Sequence, residues 1–81
     1  MDNILEYIST HRAKDCIQPE GFLVERLSDG TFNAYIFGHW ANQEKNERCI
    51  TLGYIAGSIR KAMDGLDKSC AEWLDKNQKK E

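Results

Sequence analysis

Cys16, Cys49, Cys70, His11 and His39 are the residues of this chain best suited to chemistry. A metal shell needs deprotonated Cys, neutral His or carboxylate ligands drawn together, usually visible as paired CxxC or HxxxH spacings. Neither spacing occurs. His11 and Cys16, five residues apart, fall on different faces of a helix, and His39 and Cys49 stand at opposite ends of a polar segment. A nucleophilic thiol needs an oriented base beside it. Cys49 can be drawn against His39 or His11, but any chain with these residues permits such a drawing. Cys70 falls on an apolar stripe and reads as a small core residue. The carboxylates Asp15, Glu20, Glu25, Asp64, Asp67 and Glu72 show only helix-surface spacing, as in the i,i+4 pair Glu72–Lys76. A chain of 81 residues also has little room for a substrate pocket of roughly 300 Å³ or more. The expectation is a protein that is not an enzyme, with no catalytic residue, cofactor or metal.

Aromatic residues offer a different chemistry, that of contact. Tyr35 and Phe37 alternate on one strand face, and Trp40 follows beside His39 at the start of the polar run Gly38–Arg48. Aromatic side chains supply large contact area at small entropic cost and are enriched in interface hot spots. Tyr35, Phe37, His39 and Trp40 therefore form the candidate protein-binding surface, with Glu44, Lys45, Glu47 and Arg48 as its charged rim. The competing reading folds Trp40 back over the core edge, where amphipathic Trp is common.

The elements that must position these residues follow from periodicity. Asn3 with Glu6 has the form of a capping box, and Ile4, Leu5, Ile8 and then His11 or Arg12 recur at helical spacing, which predicts a helix over 3–15. Pro19 stops it, because the residue before proline is pushed out of the α region. Two apolar runs then flank Ser28-Asp29-Gly30, a β-hairpin signal. A two-residue turn places Leu23 and Leu27 with Phe32, Ala34 and Ile36, alongside Glu25. A three-residue turn with a Gly bulge places Phe22 and Val24 there instead, alongside Arg26, and is favoured because Arg can snorkel. In both registers Tyr35 and Phe37 take the opposite face. Cys49–Leu52 is a candidate third strand.

From Leu52 onward the spacing predicts helix, with Thr51 as N-cap and Leu52, Ile55, Ala56, Ile59, Ala62, Met63, Leu66, Cys70, Trp73 and Leu74 as one stripe. Gly53 and Gly57 would smooth one side of it, and Gly65 either breaks or weakens it at a cost of about 1 kcal/mol against Ala. A helix of this length reaches ~35 Å, beyond strands of ~20 Å. Its far end, Leu66, Cys70, Trp73 and Leu74, is therefore expected either to pack on the first helix or, by preference, to dimerise. The expected core is Ile4, Leu5, Ile8, Val24, Phe32, Ala34, Ile36, Leu52, Ile55, Ile59, Met63 and Leu66.

Composition bounds the rest. Hydrophobic residues make up 41% and charged residues 30%, which is globular rather than disordered composition. A net charge of −2 with scattered basic residues lacks the stripe that duplex binding requires. An odd cysteine count without CxxC reads as reduced thiols inside a cell. The N-terminus lacks the apolar core of a signal peptide, and no run approaches membrane-spanning length, so a cytoplasmic protein without membrane attachment is expected.

Between Phe22 and Ala62, the apolar strand, the Ser-Asp-Gly turn, Thr31-Phe-Asn-Ala-Tyr-Ile, Thr51-Leu and Ile59-Arg-Lys-Ala62 together resemble the start of HicB-type antitoxins. The chain departs from that family in its leading helix, in the Gly38–Arg48 insertion and in having no strand after the helix. The resemblance colours the alternative function, a dimeric nucleic-acid-associated regulator, for which Arg12, Lys14, Arg26 and Arg48 would assemble into a basic patch.

The reading as a whole is one α+β domain over 1–81. It has an N-terminal helix, an antiparallel hairpin or three-stranded sheet, and one long or two short C-terminal helices packed on one sheet face. The expected function is a small intracellular protein-binding module, an adaptor or inhibitor occupying a partner's surface. A homodimer is expected too, and nucleic acid is the disfavoured partner. The size suits a phage or mobile-element accessory protein as well as a housekeeping subunit.

Overall fold

A computed structural model of the chain describes residues 1–10, 16–40 and 48–78. The order of elements is α1 (Asp2–Ser9), β1 (Ile17–Arg26), β2 (Phe32–Trp40), β3 (Cys49–Ala56) and α2 (Ile59–Gln78). The strands form one antiparallel sheet in the order β1-β2-β3, with both helices on one face, which is the α+β architecture read from the sequence.

The turn chemistry sets the hairpin register. Gly30 N–H donates to the Leu27 carbonyl at 3.0 Å and Leu27 N–H to the Thr31 carbonyl at 2.8 Å, closing a three-residue turn. Gly30 takes φ +90°, a left-handed conformation that side chains resist. Asp29 Oδ1 accepts from the Thr31 backbone N–H at 3.0 Å and from its hydroxyl at 2.6 Å. The bulged register therefore holds: Phe22 pairs with Ile36, Val24 with Ala34 and Arg26 with Phe32, and the Arg26 side chain stays exposed.

The third strand corrects the helical reading of Leu52–Ala56. Tyr54 and Ile55 are residue types enriched in strands, and β2 supplies the pairing partner: Leu52 lies opposite Ile36 and Tyr54 opposite Ala34. Gly53 and Gly57 thus share no helix side. The pairing slips by one residue at Thr51, a β-bulge, and the Thr51 hydroxyl meets the Tyr7 hydroxyl of α1 at 3.1 Å. The N-cap of α2 is Ser58, not Thr51. Its Oγ accepts from Lys61 N–H at 3.2 Å and its carbonyl from Ala62 N–H at 2.9 Å.

The core lies between the sheet and the two helices. Ile4 and Tyr7 of α1, Ala34 and Ile36 of β2, and Ala62, Leu66 and Cys70 of α2 are buried together. Ile8, Phe22, Val24, Phe32, Leu52, Met63 and Trp73 pack around them. α2 runs unbroken through Gly65, and the Tyr54 ring occupies the space where a Cβ would stand. That contact accounts for a glycine in a helix interior. Leu66, Cys70, Trp73 and Leu74, expected to meet a second subunit, are instead used within the chain. Leu66 and Cys70 are fully buried, Leu74 is buried, and Trp73 packs edge-on against Tyr7 with ring centroids 5.0 Å apart. Burying each large apolar side chain contributes about 1.5–3 kcal/mol, so this stripe is committed to the monomer.

α1 is held by a residue far away in sequence. Asp67 of α2 accepts from Ile4 N–H and from the Asn3 side-chain amide, both at 3.0 Å, and pairs with the Met1 amino group at 3.1 Å. The expected Asn3–Glu6 box does not form, since Asn3 turns to Asp67 and no α1 side chain caps the helix. The helix ends at Ser9, where the Ser9 and Thr10 hydroxyls bond back to the Leu5 and Glu6 carbonyls. Of the expected core, Leu5, Ile55 and Ile59 are more than half exposed. Leu5 lies off the buried face of α1, Ile55 is a strand residue on the far side of the sheet, and Ile59 opens α2.

Candidate protein-binding face

The helices cover one face of the sheet only. On β2, side chains alternate between faces. Ala34 and Ile36 enter the core, so Tyr35, Phe37 and His39 share the opposite, outer face. The same alternation brings Leu23 of β1 beside Tyr35 and places Gly53 and Ile55 of β3 on that face; beyond the bulge Ile50 joins them, opposite Phe37. Leu23 is 38% exposed, Ile50 59% and Ile55 57%, so the outer face carries apolar side chains on all three strands.

One small residue shapes its centre. The Phe37 ring lies across Gly21 of β1, where an added Cβ would stand 3.0 Å from its Cζ. The Arg48 guanidinium sits over the same ring, 4.2 Å from its centroid, a cation–π contact that fixes both groups. Tyr35 is only 7% exposed although, among the described residues, no helix lies on this face. Its burial, then a hydrogen bond to Glu25 and the charge of that carboxylate, raise the phenol above its ordinary 10.0, and Arg48 opposes the rise. At the other end of the face His39 Nδ1 pairs with Glu20, the residue at which the β1–β2 register shifts. The face thus has an apolar and aromatic middle between Glu25 at one end and Glu20, His39 and Arg48 at the other.

Tyr35, Phe37, His39 and Arg48 are therefore brought together. Trp40 is separated from them: it is the last residue of β2, paired with Ile17, half-buried, and by alternation on the side of Ile36. Glu44, Lys45 and Glu47 lie outside the described residues. Leu23, Ile50 and Ile55 are members of the face that the sequence reading missed. Leu23 was assignable once the bulged turn was chosen, whereas Ile50 and Ile55 needed β3 to be recognised as a full strand.

Cys16 is exposed, Cys49 half-buried and Cys70 buried. Among the described residues no three His, Cys, Asp or Glu side chains gather as a metal site, and no helix is long and apolar enough to cross a membrane. No protein-family model, curated protein or solved structure matches the chain. The resemblance to HicB-type antitoxins rests on the quoted residues alone, and among the described residues no strand follows α2.

Proposed function

We propose that this protein is a binding module, not an enzyme, which acts by seating the outer face of its sheet on a partner protein as an adaptor or inhibitor. The observation that carries the reading is the apolar row on the outer face of the sheet, where Leu23, Ile50 and Ile55 are exposed around the half-buried Phe37 and the buried Tyr35. An antiparallel sheet with one solvated face normally carries polar residues there, and contiguous exposed apolar surface marks interaction sites. The partner's complementary chemistry is an apolar helix or sheet face bearing an acidic group opposite Arg48. Arg48 is exposed and already ordered over Phe37, so little side-chain entropy is lost on binding.

The test is capture by the tagged chain from lysate of its source cell, with and without nuclease, against a Leu23→Ser/Phe37→Ala variant. One protein recovered in stoichiometric amount, insensitive to nuclease and lost in the variant, is the expected result. Capture undiminished by the double substitution in a folded variant overturns the face. Recovery that disappears with nuclease replaces the reading with the nucleic-acid one, whose steep salt dependence counterion release would supply.

A further inference from the structure

We infer that the open edge of β3 is the subunit interface of a two-fold homodimer, in which two β3 strands pair antiparallel and join two sheets into one of six strands. Leu27 and Thr31 are hydrogen-bonded partners at the hairpin. Alternation along the antiparallel ladder then directs the backbone groups of Asn33 and Tyr35 toward β1, and those of Phe32, Ala34 and Ile36 toward β3. Opposite them, Leu52, Tyr54 and Ala56 are taken up by β2. Gly53 and Ile55 direct their N–H and C=O groups away from β2, to an edge with which no strand among the described residues pairs.

Such an edge is a template for another strand unless it is blunted by charge or proline. β3, Cys-Ile-Thr-Leu-Gly-Tyr-Ile-Ala, carries neither, and its one irregularity lies at Thr51, outside the Leu52–Ala56 stretch. Three of the large hydrophobic residues that are exposed among the described residues lie on it: Ile50, Tyr54 and Ile55.

The occupant is a second copy because the edge is self-complementary. Centring the two-fold on Tyr54 sets Gly53 against Ile55 of the other copy, with both pairs exchanging backbone hydrogen bonds. Gly53 has no side chain on the outer face, which leaves room for the facing Ile55. The two Tyr54 rings, 45% exposed and each backed by Gly65, meet on the helix side. With no charge on the strand, a like-with-like pairing meets no repulsion.

Sedimentation of the full chain at micromolar concentration should give twice the 9.3 kDa chain mass. Ile55→Pro should give a monomer with unchanged far-UV circular dichroism, since its lost N–H donates nothing to β2 and its ring blocks the edge. Tyr54→Cys with Cys16→Ser and Cys49→Ser should cross-link to a covalent dimer in oxidised glutathione, because directly opposed residues of a non-hydrogen-bonded pair lie within disulfide reach. A wild-type monomer overturns the inference. So does a dimer that neither responds to Ile55→Pro nor cross-links through position 54. The Leu23→Ser/Phe37→Ala variant should remain dimeric, so failure of the partner face and failure of the edge are read separately.

Discussion

The two edges of the sheet, β1 and β3, are built by opposite rules. β1 contains Pro19, Glu20, Glu25 and Arg26 and is bulged between Pro19 and Gly21, each a feature that discourages a further strand. α1 also packs over its side of the sheet. β3 has no charge and no proline, and it exposes Ile50, Tyr54 and Ile55. Both strands pair with β2 and neither needs its outer edge for the monomer's core. Closure of one edge is thus written into β1, while β3 carries no such feature.

The largest expected effect tests how tightly the β1 side is closed. Gly38 lies against the Gln18 carbonyl, with backbone where a Cβ would go, whereas a Cβ at Gly53 would meet Tyr35 Cβ at 3.3 Å. Gly38→Ala should therefore cost about 3 kcal/mol in urea unfolding. Gly53→Ala should cost under about 1 kcal/mol, because only a small shift is needed there. Equal costs would erase the contrast.

Next in size is the clamp that holds α1. Asp67→Ala should cost about 1–2 kcal/mol by removing the cap of Ile4 and the partner of Asn3. Asp67→Asn, which keeps acceptor capacity, should cost less. Burial opposes the charged form of Asp67, but hydrogen bonds from Asn3, the amino terminus and Ile4 outweigh it, so its folded pKa lies below the ordinary 3.8. A depressed carboxyl contributes stability that is present above 3.8 and lost as pH falls through the lower folded value. Acid unfolding of wild type should show that loss, and Asp67→Ala should flatten it.

Hydrogen exchange sharpens the comparison with less perturbation. The Gly53 and Ile55 amides should exchange fast at high dilution and become protected as concentration rises. Phe22 and Val24, whose amides face the outer edge of β1 by the same alternation, should show no such dependence.

The smallest effect is spectroscopic. Tyr35 should ionise above 10.0 in an ultraviolet titration, and Tyr35→Phe should remove that late component. With the folded pKa raised, the associated stability is present below 10.0 and lost as pH rises through the folded value. Glu25→Gln should shift the ionisation downward by removing the carboxylate's charge.

The features legible in the sequence alone are local: a turn at Ser28–Gly30, the sorting of Ala34 and Ile36 from Tyr35 and Phe37, and the helix beyond Ile59, while the choice between the two hairpin registers was settled by the hydrogen bonds of Leu27. Each follows from a period or a turn preference acting within a few residues. The sequence could not settle Leu52–Ala56, whose apolar residues fit a helical repeat as well as a strand. Only pairing with β2 broke that tie, because a ladder of long-range hydrogen bonds outweighs a weak local preference. Nor could it show that Asp67 caps a helix more than sixty positions away, or that Leu66, Cys70 and Leu74 are buried within the chain while Trp73 packs on Tyr7 of α1. It misplaced Trp40 for the same reason, reading a loop where β2 continues to its pairing with Ile17. Which face stays bare and which edge stays open are properties of layers, and layers exist only once the chain has folded.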